Sequence, residues 1–300
     1  MKTLQVVVKI TERCNINCNY CYVFNQGNED YKKHPPQLPL SIIEGLGNFL
    51  STAVKEQNIS HVILTFHGGE PLLMKKERFE SMCSSLTKKL NGLCEVSLVL
   101  QSNGLLIDED WIKIFSRFKI GVGISLDGTK DYNDLNRIDF SGKGTYDGVI
   151  RGMQLLRKAE EQGIIPDFGV LTVPSSEFDG VKVIKHFMEE LEIKHFNFLL
   201  PIIKHDEEIV DTKKLAKFYC DAFDYWIQNS PEKFEVKIFR NTLIKMLNAG
   251  SCDKGVAYDD HLIITVNSQG DLGPDDSLLP LNLDVYKFNI MKDSYTSYIE

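Results

Sequence analysis

Apolar runs rich in branched residues recur along the chain, separated by stretches whose apolar positions fall three and four apart. "LQVVVKI" (4–10), "HVILTF" (61–66), "CEVSLVL" (94–100), "KIGVGISL" (119–126), "DFGVLTV" (167–173) and "HFNFLL" (195–200) read as buried strands. Between them, "SIIEGLGNFLSTAVKEQ", "KERFESMCSSLTKKL", "DEDWIKIFSRF", "YDGVIRGMQLLRKAEEQG" and "GVKVIKHFMEEL" carry helical periodicity. Strict alternation of strand and helix predicts a parallel sheet with right-handed crossovers. Six such units predict an α/β fold, a partial (β/α)6 TIM-like barrel, with active-site residues at the C-terminal ends of the strands.

Beyond about residue 210 the pattern changes. The helical stretches "TKKLAKFYCDAFDYWI" and "NTLIKMLNAG" precede "HLIITVNSQGDLGP", which reads as a hairpin with a glycine-containing turn. We therefore divide the chain into a barrel, 1–210, and a helical bridge with a small α+β cap, 211–300. The polar, proline-bearing stretch "NQGNEDYKKHPPQLP" (25–39) is expected to be a surface excursion.

Composition narrows the partners. With 300 residues, 43% hydrophobic and 25% charged, the chain can build a sizeable core. Its net charge of -8 comes without a basic stripe, which argues against a nucleic-acid partner and suits a basic peptide better. No apolar run is long enough to span a bilayer and no signal peptide is evident, so a cytoplasmic protein without a membrane partner is expected. Seven cysteines in such a setting are ligands or core residues rather than a disulfide framework. Cys83, Cys94 and Cys220 are isolated, and for these the small buried hydrophobe is the favoured role.

The other cysteines are grouped. "ERCNINCNYCYVF" (12–24) places Cys14, Cys18 and Cys21 in the loop leaving the first strand, at the barrel end where chemistry is expected. A closed zinc site would need a fourth ligand, and His34 has no partner at a zinc-like spacing. Three thiolates on a four-iron cluster leave one iron open to an exogenous ligand, and this reading is preferred to zinc.

This C-x-x-x-C-x-x-C motif, with Tyr20 before its last cysteine, resembles the signature of the radical S-adenosylmethionine superfamily. "HGGEPLL" (67–73), "QSNG" (101–104), "SLDG" (125–128) and "NRIDFSGKGTYDGV" (136–149) follow in that family's order at successive strand ends. The resemblance covers roughly the first two thirds of the chain. It implies one [4Fe-4S] cluster on Cys14, Cys18 and Cys21, with S-adenosylmethionine chelating the open iron and cleaved to a 5′-deoxyadenosyl radical. The cofactor carries the hard chemistry and the protein positions it. The implied cofactor-binding set is Tyr20, Gly68, Gly69, Glu70, Ser102, Asn103, Ser125, Asp127, Arg137 and Leu200. In it, Gly68 and Gly69 allow close backbone approach, Glu70 meets the methionyl ammonium, Ser125 the ribose and Arg137 the carboxylate. Leu200 packs the adenine or, equally ordinary, the core, and His67 is expected to be a satisfied structural histidine.

The three motifs together look like the branch that modifies peptides, which includes sulfatase maturases and cyclophane- or thioether-forming enzymes. That branch usually carries a cysteine-rich SPASM- or twitch-like domain. Here only Cys220 and Cys252 fall after residue 210, and Pro274, Asp275 and Asp276 stand where maturases show Pro-Cys-Asp. Asp276 then matches the family's catalytic proton acceptor, with a solvated turn as the bland alternative. The cap is expected to be a reduced form of that domain or to be truncated. The first strand starts near Met1, so no N-terminal leader-binding domain is expected either. Radical cross-linking of a ribosomal precursor peptide is the favoured activity, served by an external flavodoxin- or ferredoxin-type electron donor. Sulfatase-maturase-like oxidation, and a noncatalytic iron–sulfur or zinc regulatory protein, are the alternatives.

Overall fold

The structure is a computed structural model and describes residues 2–202, 211–248, 261–281 and 286–300. Six parallel strands form its centre: β1 (Thr3–Thr11), β2 (His61–Gly68), β3 (Glu95–Ser102), β4 (Gly121–Ser125), β5 (Gly169–Thr172) and β6 (His195–Phe198). They lie side by side in chain order, each parallel to the next. The crossovers are helices α1 (Leu40–Gln57), α2 (Lys76–Leu90), α3 (Glu109–Phe118), α4 (Lys130–Asn136) with α5 (Tyr146–Glu161), and α6 (Gly180–Lys185), which continues as a π turn to Glu190. The partial (β/α)6 barrel is present, and its sheet does not close.

Local chemistry accounts for these elements. In β2, Val62, Leu64 and Phe66 are buried under the helices while the alternate residues His61, Ile63, Thr65 and His67 are half-buried on the other face. Asp108 caps α3 by accepting from the Trp111 N–H at 2.9 Å, and Trp111, Ile112, Ile114 and Phe115 form the buried stripe that follows. Lys119, at φ 51°, ends that helix in the left-handed conformation. Short α4 carries no apolar stripe, with Asn133 its one buried residue, which is why periodicity did not reveal it.

The hairpin read from "HLIITVNSQGDLGP" exists but does not form a sheet of its own. Helix α7 (Thr212–Gln228) leads to β7 (Glu235–Val236), which pairs parallel with β6, and to α8 (Lys237–Asn248). β8 (His261–Val266) then pairs parallel with β1 at the opposite edge, followed by antiparallel β9 (Asp271–Gly273) and β10 (Phe288–Asn289), and by α9 (Tyr295–Ile299). One ten-stranded sheet, β10-β9-β8-β1-β2-β3-β4-β5-β6-β7, results. Alternating hydrophobicity cannot distinguish a strand that joins an existing sheet from one that starts another. The division at residue 210 stays a proposal about folding units. Cys252 lies outside the described residues.

The 25–39 loop is not a free excursion. The Leu38 N–H donates to Ile10 O and the Glu12 N–H to Pro36 O, both at 3.0 Å; Ser268 Oγ donates to Pro35 O at 2.8 Å. Leu38 is fully buried and Asn28 nearly so. Among the described residues no helix is long and apolar enough to cross a membrane.

Where α7 crosses α6, a Cβ on Gly180 would lie 2.1 Å from the Phe218 carbonyl oxygen, a backbone atom that cannot swing aside. Gly180→Ala should therefore destabilise the protein by about 1–3 kcal/mol, measured by urea denaturation. An unchanged midpoint would show that α7 does not pack this closely on the barrel.

Candidate active site

The chain leaves β1 through Thr11 and turns at once into the cysteine loop, which two neighbouring loops hold. On one side the Asn17 N–H donates to Ile138 O at 2.7 Å and the Asn19 N–H to Asn136 O at 3.0 Å. On the other, the loop after β2 lies directly against it. The Gly69 N–H donates to Thr11 O at 3.0 Å and the Glu70 N–H to Arg13 O at 2.8 Å, while Thr11 Oγ1 donates back to Glu70 O at 3.0 Å. A Cβ on Gly68 or Gly69 would lie 2.1 Å from the carbonyl oxygen of Thr11 or Arg13 respectively, and Gly68 has φ 134°. The two glycines are therefore required by the approach of one protein loop to another, before any ligand is considered.

Glu70 is buried and spends its carboxylate on the protein. Oε1 accepts from the Leu72 N–H at 3.0 Å and from Ser102 Oγ at 2.8 Å, and Oε2 accepts from the Asn103 N–H at 2.8 Å. Burial raises its pKa against these three donors. Asn103 then passes the connection on, its Nδ2 donating to Asn15 Oδ1 at 2.7 Å, one residue from Cys14. Glu70, Ser102 and Asn103 tie the ends of β2 and β3 to the cysteine loop.

A third group fixes Tyr20. Its hydroxyl donates to Asp127 Oδ2 at 2.6 Å and accepts from Arg137 Nη1 at 2.7 Å. Asp127 is fully buried, also accepts from the Val173 N–H at 3.1 Å, and has its pKa raised by burial against the pull of Arg137. Arg137 Nε is buried without a partner. Ser125 Oγ, at the end of β4, accepts from Gln101 Nε2 at 2.8 Å.

These groups converge on one cavity of about 250 Å3 at the C-terminal ends of the strands. All three motif cysteines line it, as do Tyr20, Gly68, Gly69, Glu70, Ser102, Asn103, Ser125, Arg137 and Leu200. Asp127 and Asp276 stand behind that wall. Leu200 is 65% exposed, so it forms a rim and is no core residue. Burial pushes the Cys14 thiol up to about 12 and raises that of Cys18. Such thiols ionise only against metal, whose charge reverses the local preference. Among the described residues no three His, Cys, Asp or Glu side chains converge on a single ion. Three separate thiols around one cavity suit a cluster, in which each ligates a different iron. The unpaired Arg137 Nε beside them suits an anionic ligand group.

Sequence reading missed the charge at the cavity's back. Lys9, 2% exposed near the end of β1, pairs with Asp276 Oδ2 at 3.0 Å, and the Tyr22 hydroxyl donates to the same oxygen at 2.8 Å. Asp276 is thus neither in a solvated turn nor raised toward neutral pH. Burial favours its neutral form, but Lys9, His67 and Tyr22 outweigh this and hold it below the usual carboxylate range. Lys9 left a signal, a lone cation in an otherwise apolar strand; Tyr22 left none. His67 is not satisfied either, since its Nδ1 is buried with no hydrogen-bond partner.

Residues 8–166, just over half of the chain, match the family model of the Radical SAM superfamily, and the chain belongs to that superfamily. Its cofactors are accordingly a [4Fe-4S] cluster and S-adenosylmethionine. The serine-type anaerobic sulfatase-maturating enzyme of Bacteroides thetaiotaomicron is 27% identical over 274 residues, covering 81% of this chain and 62% of the relative. The cysteine-type enzyme of Clostridium perfringens is 27% identical over 303 residues, covering 98% and 79%. The chain thus spans between about three fifths and four fifths of these relatives' lengths. Among solved structures, native anSMEcpe with bound AdoMet superposes with a TM-score of 0.81 at 26% identity, covering 99% of this chain and 81% of that one. Native anSMEcpe with bound AdoMet and the Kp18Cys peptide gives a TM-score of 0.81 at 26% identity, covering 99% and 80%.

Cys14→Ala, Cys18→Ala or Cys21→Ala should abolish the reconstituted cluster's absorbance and 5′-deoxyadenosine formation, whereas the parent protein should bind about four irons per chain. Full cofactor cleavage in any one variant would refute the ligand set. Lys9→Met leaves a buried carboxylate unpaired and should cost about 3–5 kcal/mol, much of it recovered in the Lys9→Met/Asp276→Leu double variant. Because Asp276 is held low, its share of stability is complete above about pH 4 and fades in stronger acid. Denaturation of the parent and Lys9→Met should show their gap narrowing there; a gap constant down to acid pH would contradict the ion pair.

Proposed function

We propose that this chain is a peptide-modifying radical enzyme that oxidises a serine or cysteine side chain, in the manner of an anaerobic sulfatase-maturating enzyme. The observation that carries this is the ionised Asp276 buried beside Tyr22 and His67 at the wall of the cysteine-lined cavity. The near full-length similarity to maturating enzymes supports this oxidation over cross-linking of the cyclophane or thioether type. A noncatalytic iron–sulfur or zinc protein has no comparable support.

When bound, the cluster and S-adenosylmethionine supply abstraction of a hydrogen atom from carbon. In our reading, Cys14, Cys18 and Cys21 hold the cluster. The Gly68–Gly69 backbone and Arg137 hold the ammonium and carboxylate of the second cofactor, Ser125 its ribose, and Leu200 lies over its adenine. Glu70, Ser102, Asn103, Tyr20 and Asp127 position these groups. Conversion of CH2OH or CH2SH to the carbonyl level removes one hydrogen atom from carbon, one proton from the heteroatom and one electron. Asp276, charged at neutral pH, is the acceptor we assign to that proton. A flavodoxin- or ferredoxin-type carrier is the proposed source of the reducing electron and sink for the one released.

The Kp18Cys peptide, incubated anaerobically with reconstituted protein and S-adenosylmethionine, should yield an aldehyde captured by a hydrazide and seen by mass spectrometry. Loss of two hydrogens without hydrazide capture would favour a cross-link instead. Asp276→Asn should retain 5′-deoxyadenosine formation while product falls at least tenfold; product at the parent rate would remove the aspartate from the mechanism.

A further inference from the structure

His67 is the last inward residue of β2 before the glycine turn, and it lines the cavity. Its Nδ1 is buried and unbonded, and lies 4.0 Å from Asp276 Oδ2, too far for a direct hydrogen bond. A buried ring nitrogen without a partner costs free energy on the order of 1–3 kcal/mol, so its retention beside a reaction cavity calls for a ligand. The spacing says how large that ligand's bonding atom is. An oxygen about 2.8 Å from each partner closes a triangle over the gap with an angle of about 90° at its apex, within the range a hydroxyl accepts while donating. Sulfur is larger, a weak donor and a weak acceptor, and it sits farther from both partners.

We infer that His67 and Asp276 form a two-point clamp on the side-chain heteroatom of the peptide residue to be oxidised, shaped for a hydroxyl rather than a thiol. The inference rests on the proposed peptide oxidation and adds to it which residue is preferred. The Nδ1–H donates to the serine oxygen, and the serine hydrogen goes to the Asp276 carboxylate, whose lone pairs are not exhausted by Lys9 and Tyr22. Burial lowers the His67 pKa, which keeps the ring neutral and able to donate through one nitrogen only. Lys9 has a role in this arrangement: it fixes the carboxylate so that the gap is preset. His67 acts as a positioning residue, selecting the substrate atom without entering the bond changes.

Calorimetric titration tests this without turnover. The Kp18Cys peptide and its versions with serine or alanine at the reacting cysteine are titrated into reconstituted protein holding S-adenosylmethionine. The serine peptide should bind at least tenfold tighter than the alanine peptide, with the cysteine peptide closer to alanine. His67→Phe, which keeps ring volume and removes both nitrogens, should bring serine to the alanine level, and His67→Asn, which restores a short donor, should recover part of the difference. Equal binding of serine and alanine peptides by the parent protein, or an undiminished serine advantage in His67→Phe, overturns the clamp, as does absence of binding by all three peptides. If serine binds preferentially but no peptide is oxidised, the proposed activity falls while the clamp stands. Urea denaturation of each variant separates loss of the clamp from loss of the fold, and an unfolded His67→Phe leaves His67→Asn to decide, since it must then bind serine better than alanine.

Discussion

The contact between the loop after β2 and the loop after β1 is the constraint on which the rest of the site depends. Two peptide planes approach so closely that the carbonyls of Thr11 and Arg13 occupy the space of the Cβ atoms missing from Gly68 and Gly69. Nothing holds the cysteine loop as rigid secondary structure, so its shape comes from what it is pressed against. Glu70 locks the arrangement from below through three donors, hydrogen bonds to a carboxylate being on the order of 2 kcal/mol each. Because one of these donors is the Asn103 backbone and Asn103 in turn holds Asn15, the ends of three strands and the cluster loop form one hydrogen-bonded unit.

Buried charge is used twice at this site, in different ways. Arg137, Tyr20 and Asp127 form a line in which the tyrosine hydroxyl mediates between cation and carboxylate, whose nearest approach is 4.0 Å. Lys9 and Asp276 instead meet directly, from a central strand of the sheet and a turn near the other end of the chain. A buried ion pair of this kind adds little net stability over apolar packing but penalises any arrangement that separates its members. The pair thus registers the C-terminal segment on the barrel and, by the same contact, fixes a carboxylate beside the cavity.

The open sheet makes that registration possible. A closed barrel would have left β8–β10 without an edge to join, whereas here β8 extends β1 and carries the chain toward the site. The exposed edges that remain are the two-residue strands β7 and β10, short enough to offer little to another chain. The 25–39 loop covers the seam between barrel and C-terminal segment, with Asn28 Nδ2 donating to Leu279 O at 3.4 Å and Ser268 to Pro35.

The sequence by itself determined the barrel. Six β-branched runs alternating with helical crossovers leave few topologies, because side-chain period and crossover handedness are local properties of the chain. It also determined which residues would gather, since Cys14, Cys18, Cys21, "HGGEP", "QSNG", Ser125 and Arg137 all sit at or just after strand ends, and parallel strands bring such ends to one rim. Only the tertiary structure decided what several of them do there. Gly68 and Gly69 face another loop's carbonyls, Glu70 is consumed by donors of the protein itself, and Leu200 is an exposed rim residue. It also decided that Asp276 is an ion-paired carboxylate and that His67 Nδ1 lacks a partner. These outcomes depend on distances between residues far apart in the chain: Lys9 with Asp276, Tyr22 with Asp276, Thr11 with Gly68. No local pattern encodes a distance of that kind; it is set when the sheet and its loops pack.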